Sequence, residues 1–278
     1  MLRLLDSLSL PGDAAKPNED FLAHDERAAL VMDGATMLGD PLMPGPSDAA
    51  WIATFGARRL MAHLKDMEPK KALRAAMADA EKSFSALRLH EMEAQWQIPC
   101  ASACLAATHE KGLELLWLGD CGALITQGGD TIVVGETIAK RSEESARARK
   151  IAREKNVSSA APGVRAQFMD HLRAARGRVN SGNYWLFTPD RRAAAHAQRR
   201  IVKVEPGALL LLATDGFLAL ASDYGAYDAA GLAAAAKTRG LAAMGAELRA
   251  IENDDAHGDK FARFKKSDDS TALLLEVA

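Results

Sequence analysis

Along this chain the apolar residues gather in two patterns. Short unbroken or alternating runs, cut off by turn residues, predict strands, and longer stretches with apolar residues every three or four positions predict helices. Four consecutive leucines and an alanine, Leu209 to Ala213, read as a strand buried on both faces. Phe21 to His24 and Ala28 to Met32 flank the polar bend Asp25-Glu26-Arg27 and predict a hairpin. Ala101 to Ala107 and Leu113 to Leu118 form a second such pair about His109 to Gly112, and Ala123 to Thr126 with Thr131 to Val134 a third across Gly128-Gly129-Asp130. Ile201 to Val204 is expected to pair with Ala208 to Ala213 about Glu205-Pro206-Gly207. Tyr184 to Phe187 predicts an aromatic strand, the opening residues a short strand-like run, and Ala272 to Val277 a terminal strand.

The helical pattern begins after the loop Leu38 to Ser47, whose three prolines and two glycines exclude a helix. Ser47 and Asp48 are both suitable caps. Trp51 and Phe55, then Leu60 and Leu64, lie four apart and predict a helix to about Lys65. A second helix is expected from Pro69 to Ala94, with Leu73, Met77, Ala80, Phe84 and Leu87 on one face. Ala229 to Ile251 is helical by composition, punctuated at Gly240, and a polar loop from Asn253 to Ser267 follows. Strand hairpins alternating with grouped helices favour an α+β fold over a βαβ series.

Composition adds limits. At 278 residues the chain suffices for one large domain or two ordinary ones, and with 5% aromatics its core must be filled by alanine, leucine and valine. Thirty-five basic residues against 37 acidic give a net charge of −2, which calls for neither nucleic acid nor an anionic membrane. Ala139 to Lys155 is locally basic. Its charges are interspersed, so it reads as a solvated helix face, the competing reading being a surface for nucleic acid or an acidic substrate. No run reaches the length of a membrane span, and Asp6 interrupts the apolar opening that a signal peptide needs, so a cytoplasmic protein is expected. Cys100, Cys104 and Cys121 make no disulfide framework and are expected as small buried side chains. His171 and His196 read as surface residues, and Trp185 with Tyr184 and Phe187 as sheet core.

The candidate chemistry lies at the strand ends. Asp33, Asp120 and Asp215 each close an apolar run, Glu19 and Asp20 precede the first hairpin, and Asp268 and Asp269 precede the last strand. Any single Asp-Gly is a common turn. Their recurrence suggests spokes around one site. Carboxylates without histidine or cysteine suit Mg²⁺ or Mn²⁺, and two such ions sharing a carboxylate can activate a water and clamp a phosphoryl group.

Taken in order, Asn18 to Phe21 (NEDF), Val31 to Gly34 (VMDG), Leu118 to Cys121 (LGDC), Leu212 to Gly216 (LATDG) and Asp268 to Thr271 (DDST) resemble the successive motifs of the metal-dependent serine/threonine protein phosphatases, the PPM or type 2C family, in a compact bacterial-like form. The resemblance implies an α-β-β-α sandwich of two antiparallel sheets in one domain over 1–278, with a variable flap-like insert at about 135–180. It implies hydrolysis of phosphoserine and phosphothreonine in a phosphoprotein substrate by a water activated between two Mn²⁺ or Mg²⁺ ions. Asp33 would bridge the ions. The Gly34 carbonyl and Glu19 would serve one ion, Asp215 and Asp268 the other, and Asp120 a weaker third site. Asp20 and Asp269 would support the ligands through hydrogen bonds. The sequence departs from the family at three places. Ala35 and Thr36 stand where many members carry a histidine, Ala15 falls at the phosphate-binding arginine with Lys16 beside it as a possible phosphate contact, and Ala219 replaces an acid, which weakens the third site. These departures keep open an alternative, a catalytically lapsed scaffold that binds a partner protein.

Overall fold

The computed structural model describes residues 1–135, 149–150, 153–154, 157–161 and 164–278. Among these described residues, ten strands form two five-stranded sheets. The first holds, in spatial order, β1 (Leu2–Leu10), β10 (Ser270–Val277), β9 (Leu209–Ala213), β6 (Gly122–Gln127) and β7 (Asp130–Val134). The second holds β2 (Asp20–His24), β3 (Ala28–Gly34), β4 (Ala101–His109), β5 (Gly112–Leu118) and β8 (Gln198–Val202). Every pairing within them is antiparallel.

The two-residue period of the strands sorts their side chains into layers. Leu210 and Leu212 of β9 meet Leu273 and Leu275 of β10 and Ala29, Val31, Leu113 and Leu115 of the second sheet in one core between the sheets. The intervening Leu211 and Ala213 turn outward with Leu274, against α4 (Asp215–Ser222), α5 (Ala229–Arg239) and α6 (Leu241–Asp254). Leu30 and Met32 of β3 likewise turn outward, against α1 (Asp48–His63) and α2 (Pro69–Leu87). The result is the α-β-β-α sandwich expected. Burial of both faces explains why β9 is an uninterrupted leucine run. The same period carries Asp33, two residues beyond Val31, to the inner side at the end of β3.

The predicted hairpins β2–β3, β4–β5 and β6–β7 form in the register their turns imply. Ser47 caps α1, its hydroxyl accepting from the Ala49 and Ala50 N–H groups, and Gly240 separates α5 from α6 at φ 82°. Three expectations are corrected. The strands around Glu205-Pro206-Gly207 do not pair: β8 lies beside β5 and β9 between β10 and β6, so this turn carries the chain from one sheet to the other. The second helix ends at Leu87, where Arg88 becomes extended and the Leu89 N–H donates to the Leu42 carbonyl at 2.8 Å. Tyr184 to Phe187 is not a strand. Only Phe187 pairs with a sheet strand, bonding Ala101 in both directions at 2.9 Å, and Trp185 instead stacks on the exposed His196. Most of the basic stretch 139–155 lies outside the described residues. A short helix, α3 (Met169–Arg176), precedes the Phe187 bridge.

Phe217, fully buried between β9 and the helices over it, anchors α4. Phe217→Ala should lower stability by about 3–5 kcal/mol in urea denaturation. A loss below about 1 kcal/mol, the ordinary effect of a point change, would contradict its placement.

Candidate metal centre

The motifs meet at one edge between the sheets. Asp20 and Asp33 face each other across β2 and β3, and Asp33 faces Ser102 across β3 and β4. Gly119 adopts φ 73°, which a side chain would resist, and the following Asp120 turns back to accept a hydrogen bond from the Ser102 hydroxyl at 2.6 Å. Asp215 arrives from the other sheet. It opens α4 directly after β9, where the sequence suggested a turn. Carboxylate oxygens of Asp33, Asp120 and Asp215 lie within 4.8 Å of one another.

Neither Asp-Gly glycine has a positive φ. Each is required by close approach instead. A Cβ on Gly34 would stand 2.4 Å from the Ala49 carbonyl oxygen, and one on Gly216 1.9 Å from that of Asp269. The glycines let α1 and the approach to β10 press against the strand ends that carry the acids.

Uncharged donors hold the surrounding acids. The Thr214 hydroxyl donates to Asp20 Oδ2 at 2.7 Å and accepts from the Thr271 N–H at 3.0 Å, tying β2, β9 and β10 together. Asp269 accepts from the Gly12 N–H at 2.6 Å and the Glu19 N–H at 2.7 Å, which fastens the loop bearing Glu19. The Glu19 carboxylate accepts from the hydroxyls of Thr36 and Ser47. Asp268 pairs with the Lys265 ammonium. Lys16 is exposed, with its ammonium 3.6 Å from Asp13. Ser47 was visible in the sequence only as a helix cap and Thr214 only as part of a turn. Lys265, in the polar loop before Asp268, gave no signal.

Electrostatically the cluster is under load. Burial, then the charges of Asp215, Asp20, Asp268 and Asp120, hold the Asp33 carboxyl well above the usual range. Asp20 is raised in the same way, by burial and by Asp268, Asp215 and Asp269, against the opposing Thr214 hydrogen bond. Asp20 Oδ1 is buried without a hydrogen-bond partner among the described residues. Hard oxygen donors, mutual repulsion and an orphaned buried oxygen fit a divalent cation such as Mn²⁺ or Mg²⁺.

Fold and site thus define a sandwich with an acidic edge between two sheets that could hold a cation. The profile of the protein phosphatase 2C family matches residues 13–250, and the chain belongs to that family. No curated protein matches it by sequence. Among solved structures, the serine/threonine phosphatase PstP/Ppp of Mycobacterium tuberculosis aligns over 99% of this chain and 98% of its own, with a TM-score of 0.60 and 16% identity. The phosphatase MsPP of Mycobacterium smegmatis, solved with cacodylate, covers 99% and 100% at 0.54 and 14%. A catalytic domain of PstP in complex with two manganese ions covers 100% of both chains at 0.56 and 17%. No described helix is long and apolar enough to cross a membrane.

The raised carboxyls predict a pH dependence. Unfolded aspartate ionises near about 3.9, whereas folded Asp20 and Asp33 keep their protons to higher pH. The folded chain then binds more protons than the unfolded one in this window, so stability falls as pH rises from about 4 through the native values. Asp79, Asp190 and Asp255, whose carboxyls are lowered, act only below that window. In chelator, Tm should therefore decline from about pH 4 toward neutrality, less so in Asp33→Asn, and added Mn²⁺ should restore it at neutral pH. A chelated Tm that does not fall would contradict the strain assigned to the cluster.

Proposed function

We propose that this protein hydrolyses phosphoserine and phosphothreonine in phosphoproteins, using two Mn²⁺ or Mg²⁺ ions held at the acidic edge. The observation that carries the reading is the convergence of Asp33, Asp120 and Asp215 oxygens within 4.8 Å, in a chain of the protein phosphatase 2C family. Asp33 would bridge the ions. Gly34 and Glu19 would complete one coordination sphere and Asp215 and Asp268 the other, with Asp20 and Asp269 as hydrogen-bonded supports and Asp120 the residue for a third ion. When bound, the ions supply Lewis acidity to the phosphoryl oxygens and lower the pKa of a water.

The chain's own residues set the geometry. Thr36 and Ser47 orient the Glu19 carboxylate, and Asp269 fixes the Glu19 backbone. Lys265 offsets part of the negative charge through Asp268. Cysteine-based phosphoryl transfer has no support here. All three thiols are buried, burial pushes Cys104 up to about 12, and Cys100 and Cys121 are raised as well, so none offers a ready thiolate. Residues 1–278 are taken as one phosphatase domain with an insert at about 135–180.

Phosphate release from a phosphopeptide should require added Mn²⁺ or Mg²⁺ and fall at least about 10²-fold in Asp33→Asn and in Asp215→Asn, with folding checked by circular dichroism. Wild-type rates in both variants would contradict the assignment. A wild-type protein that binds a partner equally well in chelator and never turns over would favour the lapsed scaffold.

A further inference from the structure

A cleft of about 620 Å³ lies where Arg149, Arg153 and residues 157–159 meet the loop 258–262. Three cations line it, Arg149, Arg153 and Lys260, against one acid, Asp259. In a chain of net charge −2 this concentration of positive charge is local. Arg149 and Arg153 make no ion pair or hydrogen bond with other described residues, and Lys260 lies with its ammonium 4.9 Å from the centre of the Phe261 ring. Among the described residues, two of the three cations therefore have no ion-pair partner.

The floor of the cleft is built. The Ser159 hydroxyl is buried, donating to the Gly258 carbonyl at 3.1 Å and accepting from the Arg263 N–H at 3.0 Å. Gly258 takes φ 71°, and a Cβ there would stand 2.7 Å from the Ser159 hydroxyl. Arg263 is in turn fixed by Asp255 at 2.6 Å. These contacts hold the loop that presents Lys260.

The cleft is also joined to the metal centre. Val157, on its wall, packs with Val164, Phe168 and Phe264, and the Phe168 and Phe264 rings meet edge to face at 5.3 Å. Lys265, the next residue after Phe264, pairs with Asp268. Arg165, next after Val164, is half-buried and feels the charges of Asp268 and Glu19. At the far end of α3, Arg176 donates to the Ala35 carbonyl at 3.2 Å and Arg173 to that of Leu38 at 2.9 Å, docking this helix over the loop that follows Gly34. Packing contacts thus run without a break from the cleft wall through Phe168 and Phe264 to the residues that touch Asp268 and the loop after Gly34.

We propose that the cleft seats the acidic flank of a phosphopeptide whose phosphorylated residue lies at the metal centre, which makes phosphoserine and phosphothreonine near Asp or Glu the preferred substrates. This rests on the phosphatase reading above. Exposed charge pairs each contribute modestly, so three together should give about a tenfold preference in kcat/KM.

The test compares matched phosphopeptides with acidic, neutral or basic residues at successive flanking positions, with p-nitrophenyl phosphate as a substrate that has no flank. Wild-type enzyme should favour the acidic peptides about tenfold, with the gap narrowing as salt rises. Arg149→Glu, Arg153→Glu and Lys260→Glu combined should reverse the order while leaving p-nitrophenyl phosphate turnover unchanged. The milder Arg149→Gln with Arg153→Gln should reduce it if the triple variant does not fold. Equal rates on all peptides, or a preference that survives in the variants, would overturn the proposal. Should p-nitrophenyl phosphate not be turned over at all, the phosphatase reading fails, and fluorescence anisotropy of an acidic labelled peptide still decides the cleft. Binding lost in the variants sustains it, and unchanged binding, or equal binding of an oligonucleotide of the same charge, overturns it.

Discussion

Carboxylates brought together at the edge of an apolar sandwich repel one another, and much of the structure around them exists to hold them there. At 4.8 Å and an effective dielectric of about 20, each ionised pair among Asp33, Asp120 and Asp215 opposes folding by on the order of 3 kcal/mol. No single element could sustain that load. The acids come from β3, from the turn after β5 and from the start of α4, so the leucine-rich core between the sheets and the helices outside them fix their separation. Hydroxyl and N–H donors from Thr214, Ser102, Gly12 and Glu19 satisfy lone pairs without neutralising charge. What remains is a deficit of positive charge that divalent cations can fill.

The nearby cations complete this picture. Lys265 reaches Asp268 from the loop before β10, and the segment 164–176 brings arginines toward the same edge. The arginines stand on a segment remote in sequence from the acidic motifs, whereas Lys265 lies three residues before Asp268, so the offsetting charge is drawn both locally and from a docked helix. Lys16, beside the Ala15 position, is exposed and turned to Asp13, so the positive charge around this edge comes chiefly from the later segments.

Much of this was legible in the sequence because short-range rules governed it. Hairpins with Gly and Asp turns, the Ser47 cap and the Gly240 break all depend on local backbone geometry. The acids were legible because each terminates a strand, and their order matched a known family. The misses are non-local. Glu205-Pro206-Gly207 looks like a hairpin turn, yet β9 has β10 and β6 on its two sides while β8 takes the edge beside β5 in the other sheet, which only long-range pairing decides. The second helix stops at Leu87 because Leu89 finds a backbone partner in a distant loop, which periodicity does not register. Tyr184 to Phe187 has strand composition but only one strand position to occupy. Ser102 acts at the site through tertiary contact alone, and Lys265, three residues before Asp268, belongs to no motif that would mark it. The two Asp-Gly pairs were read through turn preference, whereas their glycines are needed for packing against Ala49 and Asp269.

The most direct measurement is a calorimetric titration of the purified, chelator-stripped protein with Mn²⁺ near neutral pH, in buffers of different ionisation enthalpy. Acids held above their normal range by burial and by each other must give up protons when a cation takes their place. Two ions should bind per chain, with proton release per bound ion that grows as the titration is repeated at lower pH, and binding should be lost in Asp33→Asn. Undiminished binding in that variant, or proton release that does not grow toward lower pH, would contradict this.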